Sequence, residues 1–306
     1  MMPFSQFFFE ITFLGHTLII DSMRIALASF FAIIAYIGYD VTLKPHHSQT
    51  AVLPHQSIFK TLFWINGACI FGALFFGKPL WKLFQEYSLI SYVSYVNLVF
   101  ISAAAFCMNQ LTTHPTESRS FFWYCIAVGF GYMAIDELCE IHENIDSAIH
   151  QILRITESHL TDRIDDAIIL IYLIIAGIAI LRSRKTLHPY TIVAPILKTS
   201  IIYIILMIIW DAGTNQPDVL NMLIKHPYHA RILNSQLGVV EELFKTVAEW
   251  MLCGIMLYCI SIEWNKSSSK ISSKKLHQAF VIFFCLLLGI TGTIVFLLLP
   301  SIPLAK

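Results

Sequence analysis

The chain is poor in charge. Asp, Glu, Lys and Arg make up 13% of the 306 residues, 20 acids against 20 bases. Soluble domains carry about 25%, so the shortage excludes an ordinary soluble fold. With zero net charge and no basic surface, nucleic acid is not an expected partner. The seven cysteines, at 69, 107, 125, 139, 253, 259 and 285, include no C-x-x-C pair. That argues against a disulfide framework or a zinc knuckle and leaves most of them as small hydrophobes in apolar runs. The N-terminus lacks the form of a cleaved signal, because Glu10 interrupts the first apolar stretch and no small-residue cleavage site follows a charged region. The first full span therefore reads as an uncleaved anchor. There is no strong internal repeat and no hydrophilic segment of domain size.

What remains is apolar. Hydrophobic residues are 57% of the chain and mean hydropathy is +0.68. A helical span needs about 20 apolar residues. Runs of that kind cover roughly 24–43, 58–77, 88–108, 121–141, 164–182, 191–210, 238–262 and 278–299. The expected fold is all-α, a polytopic transmembrane helical bundle of seven or eight spans forming one integral membrane domain over residues 1–306. A short interfacial or re-entrant segment is expected at 5–20. After span four, the segment 144–163 keeps Ile145, Ala148, Ile149, Ile152 and Leu153 at helical spacing. It reads as an extension of that span or as an amphipathic helix at the outer surface. Membrane lipids are the expected partners.

Basic loops set the orientation. Arg182, Arg184 and Lys185 lie between spans five and six, and Lys266, Lys270, Lys274 and Lys275 between seven and eight. Positive loops stay cytoplasmic, so with eight spans both termini face outward. Four helix ends rich in acid then share one side. They are the end of span four, the start of span five, the end of span six at Trp210-Asp211 and the start of span seven.

The densest of these reads Asp136-Glu137-Leu138-Cys139-Glu140-Ile141-His142-Glu143. A charged residue at a bilayer centre costs about 2.5–3.5 kcal/mol on insertion scales. Membrane proteins that keep several together use them, pair them or place them at the water boundary. On a continuous helix Asp136, Glu140 and Glu143 share a face, Glu137 and Asn144 flank it, and His142 points away towards Cys139 and Asp146. Like carboxylates on one stripe need a cation or protons between them. Span seven offers a matching stripe of Glu242, Lys245 and Glu249, with Glu241 four residues before Lys245. Lys245 and Glu249 are expected one to two turns below the interface.

Zinc, iron and manganese accept mixed carboxylate and imidazole ligands. The candidate metal ligands are Asp136, Glu140, His142 and Glu242, with Glu249 or Glu143 as the base that activates a bound water. Glu137, Glu241, Lys245 and Asp211 are candidate supporting or ion-paired residues. His142 is two residues from Glu140 and five from Glu137, so the Glu-x-x-His spacing of di-iron bundles is missing. The plain alternative is a helix end at headgroup level, its acids solvated or paired to Lys245, Arg154 or Arg163. On that view Glu143, Asp146, Asp165 and Asp166 are solvated, Cys139 is packing, and His226 and His229 lie on the surface.

The D-E-x4-H-E helix end at 136–143, with Glu241-Glu242 and Glu249 on a later helix, resembles a motif pair in uncharacterised bacterial multi-pass membrane proteins. The resemblance implies a bacterial inner membrane location. A looser similarity links the chain to ceramidase-like and adiponectin-receptor-like hydrolases, which hold zinc within seven helices. Their late-helix H-x3-H is absent here. Glu241 and Lys245 are also similar to the acid–lysine pair of retinal proteins, with the lysine nearer the helix start.

Three functions are compatible with these residues. The first is a metal-dependent intramembrane hydrolase acting on a lipid-like substrate. The second is a cation- or proton-coupled transporter, which would need a polar path to the cytoplasmic side. The third is a non-catalytic sensor or assembly module whose acids form a salt-bridge network around Lys245.

Overall fold

A computed structural model of the chain describes residues 9–13, 16–20, 22–43, 54–76, 84, 88–112, 117–154, 164–183, 187–214, 227–267 and scattered positions between 278 and 289. Its elements are strands β1 (Phe9–Phe13) and β2 (His16–Ile20) and helices α1 (Ser22–Leu43), α2 (Pro54–Phe76), α3 (Leu89–Leu111) and α4 (Glu117–Cys139). These are followed by α5 (Ile141–Leu153), α6 (Ile164–Arg182), a 3-10 turn (His188–Val193), α7 (Ala194–Thr214) and α8 (Pro227–Ser267).

Among the described residues, six helices are long and apolar enough to cross a membrane: Arg24–Thr42, Ile58–Phe76, Leu89–Leu111, Phe121–Cys139, His188–Asp211 and Leu237–Lys266. Ala167–Arg182 is a shorter apolar helix. These seven fall on the first seven apolar runs of the sequence. The eighth, 278–299, lies largely outside the described residues. Helices suit this composition because each satisfies its own backbone, which a lipid core demands. Large apolar side chains such as Ile33, Trp64, Phe121, Ile175 and Leu181 stand exposed on their helices, an arrangement that lipid rather than water favours.

The N-terminal segment departs from the all-helical expectation. β1 and β2 pair antiparallel in the register Phe9↔Ile20 to Phe13↔His16. Both strands are built from β-branched and aromatic residues, which favour extended backbone.

The chain forms two compact units, residues 1–93 with 195–251 and residues 94–194 with 252–306. In the first, the buried Arg24 guanidinium donates to the Leu74 carbonyl, joining the start of α1 to the end of α2. Tyr203 donates to the Ile34 carbonyl at 3.1 Å, and its ring packs with Phe244, which meets Phe30 edge-on. Trp250 stacks on Phe59 at 4.7 Å and contacts Phe63 at 4.8 Å. A Cβ on Gly38 would lie 3.0 Å from Met251 Sδ, so α1 and α8 approach closely there.

In the second unit Tyr95, Leu98, Val99, Ala134 and Leu138 form a core with Phe130 against it. Ser102, Ala103, Ala104 and Ala105 are fully buried. Small residues let helix backbones approach, and here the Ser102 hydroxyl donates across to the Ala127 carbonyl of α4.

Candidate functional site

The acidic block is not the end of one helix. α4 stops at Cys139, and Glu140 takes a left-handed backbone with φ 49° and ψ 45° before α5 starts. A non-glycine residue there costs of order 1–3 kcal/mol and persists when its surroundings over-determine it. Asp136 and Asn144 do so. Asp136 Oδ1 accepts the backbone N–H of His142 at 2.9 Å, and Oδ2 lies 3.0 Å from His142 Nδ1. Asn144 donates from its side-chain amide to the carbonyls of Cys139 at 3.0 Å and Glu140 at 2.7 Å. The carboxylate caps the start of α5, and the amide caps the end of α4.

This corrects the helical phasing. The Asp136–Glu140–Glu143 stripe assumed an unbroken helix, and the break at Glu140 turns His142 back onto Asp136 instead of away from it. Glu143 Oε1 stands 3.9 Å from His142 Nε2 and is the more exposed partner. Glu137 is half-buried beside the joint. Two turns further along α5, the buried His150 directs Nδ1 to the Asp146 carboxylate at 3.1 Å and to the Asp146 carbonyl at 3.0 Å.

The second cluster lies in the other unit, at the end of α7 and the start of α8. The Trp210 indole N–H donates to the Leu237 carbonyl at 2.7 Å, which fixes the end of one span beside the start of the next. Asp211 and Glu241 are thereby brought into a side-chain hydrogen bond, with Glu242 and Lys245 close to Glu241. Lys245 Nζ donates to Glu242 Oε1 at 2.8 Å, both side chains being less than one-fifth exposed. The Thr246 hydroxyl donates to the Glu242 carbonyl at 2.8 Å. Glu249 lies a turn deeper on α8 and is buried. The spacing of Glu242 and Lys245 was readable in the sequence; the pairing of Asp211 with Glu241 depends on the Trp210 contact and was not.

Of the residues assigned to a metal, Asp136, Glu140 and His142 belong to one unit and Glu242 to the other. Among the described residues no group of three or more His, Cys, Asp or Glu side chains is placed to hold a metal ion. Arg163 and His226, and the side chains of Asp165, Asp166 and His229, lie outside the described residues.

A family model described as a domain of unknown function, DUF8692, matches residues 27–262. The chain belongs to this family. The matched stretch begins in α1, ends in α8 and contains both clusters in full. No curated protein and no solved structure matches the chain.

A third polar cluster escaped the sequence reading. The buried Tyr190 hydroxyl donates to Glu263 Oε1 at 2.8 Å, and Lys266 Nζ donates to the same oxygen at 2.9 Å. Lys266 also stands 5.7 Å from the centre of the Tyr190 ring, within cation–π range, while Trp123 meets that ring edge-on. The Glu263–Lys266 spacing of three on one helix is a legible pair signal. Tyr190, distant in sequence, is not.

Proposed function

We propose that the protein is a non-catalytic module of the membrane, a sensor or assembly component, in which the acidic residues of span ends serve as internal ion-pair and hydrogen-bond networks. The observation that carries this reading is the Lys245–Glu242 ion pair at 2.8 Å beside the Asp211–Glu241 hydrogen bond. Two carboxyl groups hydrogen-bond to each other only when a proton lies between them, so the network is suited to respond to protons. Asp136 and His142 support the same reading, since each engages the other in holding the joint between α4 and α5. A transporter is less well supported. Between Glu249 and Glu263, α8 has no ionisable carboxylate, lysine, arginine or histidine to continue a path.

The test is a double-mutant cycle on Lys245→Met and Glu242→Gln, read as unfolding free energy in mixed micelles. Removing one partner of a buried pair costs about 3–5 kcal/mol. Lys245→Met is therefore expected to destabilise strongly, and the double variant to recover most of the loss. Additive effects would remove the reading. Glu241→Gln tests the proton-linked part. Its amide can donate to Asp211 without a titrating proton, so the pH dependence of stability should flatten relative to the unsubstituted protein.

A metal-dependent hydrolase acting on a lipid-like substrate is the second reading, and one observation favours it. A carboxylate on one imidazole nitrogen is the usual support of a histidine whose other nitrogen binds a metal, and Asp136 stands so on His142. Zinc, iron or manganese would then meet His142 Nε2, with Asp136 orienting the ring, Glu140 as a further ligand and Glu143 as base. The basic loops and the motif resemblance support placing the protein in a bacterial inner membrane, multi-pass, with α6 and the 278–299 segment as further spans and both termini outward.

A further inference from the structure

Helix α5 has three distinct edges. The edge turned into the protein carries His142, Asp146 and the buried His150. The exposed arc splits in two. Ile145, Ala148 and Ile152 recur at spacings of three and four and form an apolar edge, Ile152 being 78% exposed. Asn144, Ser147 and Gln151 form the adjoining edge, polar and uncharged. A helix bathed in water has no reason to expose the first edge, and a helix crossing a membrane cannot keep the second in lipid. An apolar edge beside a polar one suits the plane where acyl chains meet headgroups.

The position of α5 in the chain agrees. It starts one residue after the membrane-length stretch Phe121–Cys139 and precedes α6, and it packs on both α4 and α6. Those neighbours present exposed apolar side chains of their own, Tyr132 and Met133 on α4 and Leu170, Ile171 and Ile174 on α6. Exposed apolar side chains thus occur on α5 and on both of the helices it packs against. At its far end the exposed Arg154 closes the helix with φ 51°.

We infer that α5 is seated on the bilayer itself, with Ile145, Ala148 and Ile152 in the acyl region and Asn144, Ser147 and Gln151 at the headgroups. The inference goes beyond the proposed function and is independent of it. Spin labels test it in the full chain, with the non-buried cysteines Cys69, Cys125 and Cys285 changed to alanine. The protein is placed in phosphatidylethanolamine–phosphatidylglycerol liposomes and labelled at Ile152→Cys or Gln151→Cys. Collision with oxygen should exceed collision with a water-soluble nickel chelate at 152, and the order should reverse at 151. Ala148→Cys and Ser147→Cys repeat the comparison should either first variant fold poorly. A label at Ile174→Cys on α6 reports the membrane separately. If 174 collides with oxygen while 152 collides mainly with nickel, the edge faces water and the inference is wrong. If 152 and 148 are shielded from both reagents, a protein surface covers the edge, a second copy or another partner, and the inference is equally wrong.

Discussion

Replacing Asp136 with alanine removes both hydrogen bonds that fold the chain back at Glu140. One is a cap on the first turn of α5, and losing such a cap costs about 0.5–2 kcal/mol. The other joins a carboxylate to an imidazole, and hydrogen bonds to charged groups contribute about 1.5–3 kcal/mol. The Asp136 side chain is 11% exposed, so little water is at hand to replace it. The expected loss is about 2–4 kcal/mol in an unfolding titration with SDS in mixed micelles. Asp136→Asn should cost less than about 1 kcal/mol. Its oxygen still accepts the His142 backbone N–H, and its amide can donate to an unprotonated Nδ1.

The backbone at Glu140 supplies the internal control. A left-handed conformation costs an ordinary residue about 1–2 kcal/mol, and glycine escapes that cost. Glu140→Gly should therefore be neutral or stabilising alone, and should recover about 1 kcal/mol in the Asp136→Ala background. In the interior of a regular helix the same glycine destabilises by about 0.5–1 kcal/mol. A loss of that size from Glu140→Gly, together with equal effects of alanine and asparagine at 136, would refute the joint.

Tyr190→Phe keeps the ring on Trp123 and deletes the hydroxyl on Glu263, so it should lower unfolding free energy by about 1–3 kcal/mol; the same micelle titration measures it. Gly38→Val brings a branched side chain against Met251 and Trp250 and should cost about 1–3 kcal/mol, whereas the single methyl of Gly38→Ala comes to 3.0 Å from Met251 Sδ and 3.2 Å from the Trp250 ring and should cost less. Elemental analysis of the purified protein should find no stoichiometric zinc, iron or manganese if the network reading is right. One equivalent, lost in a His142→Ala variant, would establish a metal site at His142 and remove the reading of Asp136 and His142 as a hydrogen-bonded joint alone.

Six spans were legible because lipid imposes a length and a composition, and among the described residues six apolar runs are helices long enough to cross a membrane, a seventh being a shorter apolar helix. Pair contacts within one helix were legible too. Lys245 and Glu242, three residues apart, fall on one helix face by spacing alone. What the sequence hid is of another kind. Helical phasing carries no information about where a helix breaks, and the break at Glu140 uses a residue with no glycine-like signature. The signal was present only as a combination, an acid at 136 that can cap a backbone N–H six residues on and an amide at 144 that can reach the carbonyls of 139 and 140. Residue spacing read on a straight helix assigned Asp136 to a ligand stripe and left Asn144 on its flank, whereas the bent chain uses both as fasteners. Contacts between distant segments, Asp211 with Glu241 and Tyr190 with Glu263, depend on which helices pack together. The dense motif at 136–143 therefore has a folding role whatever chemistry it holds. A change in the hydrogen bonding of Asp136 or His142 would act first on the angle between α4 and α5, and through it on the helix inferred to lie on the membrane surface.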